Sequence, residues 1–249
     1  MSGVFGAVDT NRNSDVRALA KKMAAAMSHR DWYEADHYVN EHNNIATGRI
    51  GIGIFNNRSQ PVVNDSGSRI LFMSGEIHNR DSMSNGNPSI PDEEFILRLY
   101  EQEGDNLVSQ IQGVFVFVII DLKINKLLIF NDRFGLYPLF YSSRAGRLVF
   151  APEMKGILCD EYLPKKIDFT ALAQYVRFQQ LLGVRTFFED IQVLPPASIL
   201  TFDLTSGSCS TRPYWTFSDI PYNPQINIDE AIEAVSYTHL RAHERLRSI

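Results

Sequence analysis

Residues 114–150 read VFVFVIIDLKINKLLIFNDRFGLYPLFYSSRAGRLVF. Short runs rich in β-branched and aromatic residues, Val114–Asp121, Lys126–Asn131, Leu139–Ser142 and Leu148–Phe150, alternate with a few turn residues. Parallel strands need a crossover of a dozen or more residues, so strands this close in sequence pair antiparallel. The longest apolar run, Val114–Ile120, is strand-sized and far short of the ~18 residues of a membrane span.

Working outward, Met1–Val8 is apolar, Gly-punctuated and reads as a buried strand. Ser14 and Asp15 offer caps for a helix through Met27, with Val16, Leu19, Ala20, Met23 and Met27 on one face. Thr47–Phe55 and Ile70–Phe72 read as strands, the latter running into a turn at Ser74-Gly75-Glu76. A polar loop follows at 85–91, and Asp92 then caps a helix whose first turn carries Glu93 and Glu94. Asp168 caps a helix over 169–178, Ile191–Leu194 leads into Pro195-Pro196, and Ser198–Phe202 is a strand. Residues 213–225 read as a linker, and Asp229 opens a helix over 230–235. The Arg- and His-rich stretch 236–249 drops the helical pattern. It reads as non-native sequence, of the kind a translated adapter read-through gives, with a basic C-terminal helix as the alternative.

Composition narrows the function. The chain has 249 residues, 44% of them hydrophobic, enough for one sizeable core. A net charge of −5 without clustered Lys and Arg argues against a nucleic-acid surface. The two cysteines, Cys159 and Cys209, make no disulfide framework, so a cytoplasmic, reducing setting is the expectation. No signal-peptide pattern opens the chain. No His/Cys cluster has metal-ligand spacing.

Several segments, in order, resemble the asparagine synthase family. Met1-Ser2-Gly3-Val4-Phe5-Gly6 is similar to its Met-Cys-Gly-Ile-x-Gly start, and Ser74-Gly75-Glu76-Ile77-His78-Asn79 to its Asn-Gly-Glu-Ile-Tyr-Asn loop. Residues 131–141 are similar to Arg-Asp-x-x-Gly-x-x-Pro-Leu-Tyr-Tyr, and 150–155 to Phe-Ala-Ser-Glu-x-Lys. Thr186 through Pro196 is similar to the stretch that leads towards the family's synthetase half, and Pro195-Pro196 with Tyr214-Trp215 favours this family over other class II glutamine amidotransferases. The resemblance covers roughly residues 1–235. It implies an α+β fold: an Ntn-hydrolase four-layer αββα sandwich with two antiparallel sheets. It assigns 1–212 to a type 2 glutamine amidotransferase domain, 213–235 to a linker and the start of a truncated synthetase domain, and 236–249 to the foreign tail. The family's Ser-Gly-Gly-x-Asp-Ser phosphate loop is absent from the sequence. ATP and Mg²⁺ are therefore expected only in a synthetase half, and this chain itself is expected to hold no cofactor. Glutamine, that synthetase half and a second copy of the chain are the implied partners; a nucleic acid or a membrane is not.

The resemblance also names site residues. Ser2 stands at the nucleophile position, where the family has Cys and uses the α-amino group, pKa ~7.7–8.0, as base. A thiol of pKa ~8.5 gives some thiolate at neutral pH, whereas a serine hydroxyl gives none. Ser74 and Gly75 stand at the oxyanion position, with Ser74 replacing an Asn side chain; losing one such donor costs ~10²–10³ in rate. Arg49 matches the arginine that grips the glutamine carboxylate, though Thr47-Gly48 replaces the family's His-Glu; the alternative is an exposed strand-edge arginine. Glu76 and Asp92 match substrate-binding acids, and Asp92 also reads as a helix cap. Residues 242–246, Ala-His-Glu-Arg-Leu, spell the arginine motif at the wrong end of the chain and are discounted. His29-Arg30 is similar to the family's His-Arg-Gly-x-Asp loop, with the Gly missing.

Three functions follow. The first is a glutaminase-deficient amidotransferase domain serving an asparagine synthase-related protein. The second is an active glutaminase with Ser2 as nucleophile. The third is a non-enzymatic scaffold. On sequence alone, Ser2→Cys with Ser74→Asn should restore hydrolysis.

Overall fold

The computed structural model describes residues 2–83, 90–222, 227–233 and 235–236. Most of the loop expected at 85–91 and nearly all of the tail lie outside these residues. The chain divides into two compact units, Met1–Trp215 and Thr216–Ile249.

In chain order, the first unit runs β1 (Gly3–Asp9), α1 (Val16–Met27), β2 (Glu34–Asn40), β3 (Ile45–Gly51), β4 (Val62–Val63), β5 (Arg69–Ile77) and α2 (Arg80–Met83). It continues with α3 (Asp92–Glu103), α4 (Leu107–Gln110), β6 (Gly113–Asp121), β7 (Lys126–Asn131), β8 (Phe140–Arg144), β9 (Arg147–Ala151) and α5 (Met154–Ile157). It ends with α6 (Phe169–Phe178), β10 (Gln192–Val193), β11 (Ser198–Asp203) and β12 (Cys209–Pro213). One sheet has the order β10-β8-β9-β1-β3-β2, the other β12-β11-β7-β6-β5-β4, and every pairing is antiparallel.

The continuous apolar runs of the sequence follow from the layering. Along β6, Val116, Val118 and Ile120 join the core between the two sheets, while Phe115, Phe117 and Ile119 join the core under α3 and α4. Along β1, Val4 and Val8 face the sheet–sheet core, whereas Phe5 and Ala7 face α1. A strand buried on both faces shows no polar alternation. Each large apolar side chain so buried contributes about 1.5–3 kcal/mol. Helix, sheet, sheet and helix thus stack as the αββα arrangement expected. Asp15 accepts the Ala18 N–H at 2.9 Å to cap α1, and Asp168 accepts those of Thr170 and Ala171 to cap α6.

Four local expectations need correction. The strand expected over 47–55 spans Ile45–Gly51; Gly53 (φ +72°) and Asn56 (φ +54°) turn the chain away after it. Ser74-Gly75-Glu76 is not a turn but the continuing part of β5. The N-cap of α3 is Pro91, with Asp92 as the first helical residue. In the second unit, the last helix opens at Ile228, and the Asn227 side chain, not Asp229, accepts the Glu230 N–H at 2.8 Å. The strands β2, β4 and β12 had no sequence signal. All three are sheet edges, where half-solvated, polar strands resist further pairing and carry no apolar period.

Candidate functional site

The site grows from the free edge of β5. β4 pairs with it only at Ile70 and Leu71, so the N–H groups of residues 73, 75 and 77 lack a neighbouring strand. Side chains take its place. Gln60 accepts the Met73 N–H at 2.7 Å, Asn56 accepts the Gly75 N–H at 3.0 Å, and Asp92 accepts the Ile77 N–H at 2.8 Å. Buried backbone donors demand partners, and here each finds a carboxamide or a carboxylate.

Gly75 is required where it stands. Its φ is +116°, and a Cβ there would lie 2.0 Å from the Val114 carbonyl oxygen. Gly75, Glu76 and Asp92 line a cleft of about 400 Å³ with Asn56, Arg58, Arg80 and Glu93. Arg80 donates to Asp92 at 2.8 Å. Burial pushes the Asp92 carboxyl above its ordinary range; the Ile77 N–H and the Arg80 guanidinium oppose this, and neighbouring Glu93 adds to it. Glu93 is only 2% exposed and accepts from the Asn56 carboxamide at 3.2 Å.

Arg49 is not an exposed edge residue. It is 3% exposed and forks onto Asp36 with Nη2 at 2.7 Å and Nε at 3.1 Å. Register brings the pair together, since Asp36 of β2 lies opposite Arg49 of β3. Its remaining N–H groups donate to the backbone carbonyls of Asn56 and Arg58. Ser74 follows Phe72 by two residues, and so faces the core between the sheets. Its hydroxyl is buried and has no hydrogen-bond partner among the described residues; the same holds for Thr47.

Ser2 begins β1's end of the site and is half-buried. Its side chain lies beside the Tyr137 hydroxyl, whose pKa is raised by burial, lowered by Ser2 and raised further by the nearby Glu76 and Asp132 carboxylates. Asp132 braces its own turn by accepting the N–H groups of Phe134 (2.9 Å) and Leu136 (3.1 Å), while the Arg133 guanidinium lies over Trp215. His29 contacts Glu153 at 2.9 Å and Lys155 at 3.0 Å. Sequence reasoning missed Asp36, Asn56, Arg80, Glu93 and Tyr137. Only Glu93, beside Asp92 in an acidic helix start, left a trace; the others are joined by register and loop path. Cys159 and Cys209 are free thiols. Among the described residues no helix is long and apolar enough to cross a membrane.

Comparison with known proteins completes the description. Asparagine synthetase [glutamine-hydrolyzing] 2 of Bacillus subtilis (strain 168) is 30% identical over 229 residues, covering 86% of this chain and 31% of that protein. Asparagine synthetase B of Escherichia coli (strain K12) is 29% identical over 168 residues, covering 64% of this chain and 30% of that protein. The chain therefore spans about a third of the length of these relatives. Among solved structures, glutamine phosphoribosylpyrophosphate amidotransferase from B. subtilis superposes with a TM-score of 0.58 at 14% identity, over 86% of this chain and 49% of its own. That likeness shows the fold, a sandwich of two antiparallel sheets between helices. A family model described as the glutamine amidotransferase domain matches residues 1–215, the extent of the first compact unit, and the chain belongs to that family, in a branch related to asparagine synthetases.

Proposed function

We propose that this amidotransferase domain does not hydrolyse glutamine, and that it serves a longer, asparagine synthase-related protein as a scaffold and docking domain. The observation that carries this is the Ser74 hydroxyl. A donor for a tetrahedral oxyanion must reach the reacting carbonyl, whereas this short hydroxyl is buried without a hydrogen-bond partner among the described residues and does not line the cleft. The nucleophile position adds to it, because a serine hydroxyl is a far weaker nucleophile than a thiolate. The surface of α6 suits docking. Only Ala171 of this helix is buried, while Phe169, Leu172 and Val176 leave an apolar face uncovered.

In this reading the synthetase part of the longer protein is the partner, and a second copy of the chain makes a dimer. ATP and Mg²⁺ act in the synthetase part, which takes free ammonia or another amine as the attacking group. The test is glutamate release from glutamine by the purified chain. No release above the uncatalysed background is expected. Turnover well above background, abolished by Ser2→Ala, would show Ser2 to be a working nucleophile and overturn the reading.

A further inference from the structure

Glutamine would bring three functional groups to this cleft: a carboxylate, an ammonium and a carboxamide. Each group that would receive them already holds an internal counterpart. The Arg49 guanidinium is forked onto the Asp36 carboxylate. The Asp92 carboxylate holds the Arg80 guanidinium. The Gly75 N–H donates to the carboxamide oxygen of Asn56.

The last contact is the most specific. The Asn56 carboxamide has a donor on one side and an acceptor on the other, so its orientation is fixed: oxygen to the Gly75 N–H, nitrogen to the Glu93 carboxylate. Glu93 is buried and anchors that nitrogen. The loop that delivers Asn56 is held too, since the Asn56 backbone sits in the left-handed region and its carbonyl accepts from Arg49. One amide N–H serves one strong acceptor. While Asn56 occupies Gly75, no substrate carbonyl can.

We propose that Asn56, anchored by Glu93, is a specificity-determining residue that fills the carboxamide position and excludes glutamine. The proposal rests on reading this cleft as the amidotransferase glutamine pocket. It predicts that restoring the chemistry alone does not restore the site.

The experiment measures glutamine binding by titration calorimetry on the full chain in a Ser2→Cys, Ser74→Asn background, with and without Asn56→Gly. Glycine keeps the left-handed backbone that Asn56 adopts. Asn56→Gly is expected to tighten glutamine binding at least about tenfold, with glutamate release appearing only in the triple variant. Glu93→Ala removes the anchor without altering the loop, should move binding in the same direction, and serves the test if the glycine variant fails to fold. Glutamine binding and turnover in the double variant, unchanged by either further substitution, would overturn the role of Asn56. That outcome is separate from glutamate release by the unmodified chain, which would overturn the glutaminase-deficient reading instead.

Discussion

Replacing Arg49 by methionine tests whether this guanidinium is a structural brace or a waiting substrate clamp. Arg49 is 3% exposed, and the side chain of its partner Asp36 is 16% exposed. Arg49→Met keeps the apolar stem but leaves the Asp36 carboxylate, and the carbonyls of Asn56 and Arg58, without their donor. Removing one partner of a buried ion pair costs about 3–5 kcal/mol. For a domain of this size each kcal/mol lowers Tm by about 2–4 °C, so Tm should fall by about 6–20 °C. Scanning calorimetry gives the shift, and urea unfolding with an unchanged m-value confirms that the native state alone is affected. Arg49→Met with Asp36→Leu, which removes both charges, should recover most of the loss. A fall of less than about 2 °C in the single variant would refute the reasoning. It would mean that Arg49 is a solvated group free to take a carboxylate.

Other expectations follow from the same geometry. Gly75→Ala forces a Cβ against the Val114 carbonyl at a positive φ and should cost at least about 2 kcal/mol, read as a lower urea midpoint. Phe117→Ala removes a fully buried ring stacked on Phe130 at 4.7 Å and should cost about 3–5 kcal/mol by the same measurement. Arg147 bridges the buried carboxylates of Asp9 (3.1 Å) and Asp160 (2.9 Å); Arg147→Met should destabilise by about 3–5 kcal/mol, more in the presence of both acids than with Asp160→Asn. Burial raises the Asp92 carboxyl above its ordinary 3.8, so the folded chain holds this proton to higher pH than the unfolded chain. Its contribution is therefore complete below that ordinary value and is lost as pH rises through the folded one. Asp92→Asn should flatten the decline of the urea midpoint across this acid window, whatever it does to the midpoint itself.

The sequence by itself determined antiparallel strands, while the αββα sandwich was implied by the family resemblance. Runs such as Val114–Ile120 and Lys126–Asn131 are joined by turns too short for a parallel crossover, and the structure then showed residues 115–120 covered on both faces. The caps at Asp15 and Asp168 were legible because a cap is local chemistry between residues two or three apart. The positions Ser2, Ser74, Gly75, Arg49, Glu76 and Asp92 were also legible, as members of ordered motifs. What those residues touch was not. Arg49 meets Asp36 through strand register, Asn56 reaches Gly75 through a loop turned by two left-handed residues, and Glu93 meets Asn56 across 37 positions of chain. Edge strands stayed silent because solvent on one side removes the apolar pattern that sequence reading depends on. Motifs report which groups stand at the site. Only the tertiary structure, by bringing distant donors and acceptors within 3 Å of each other, decided that Arg49, Gly75 and Asp92 are already satisfied from within.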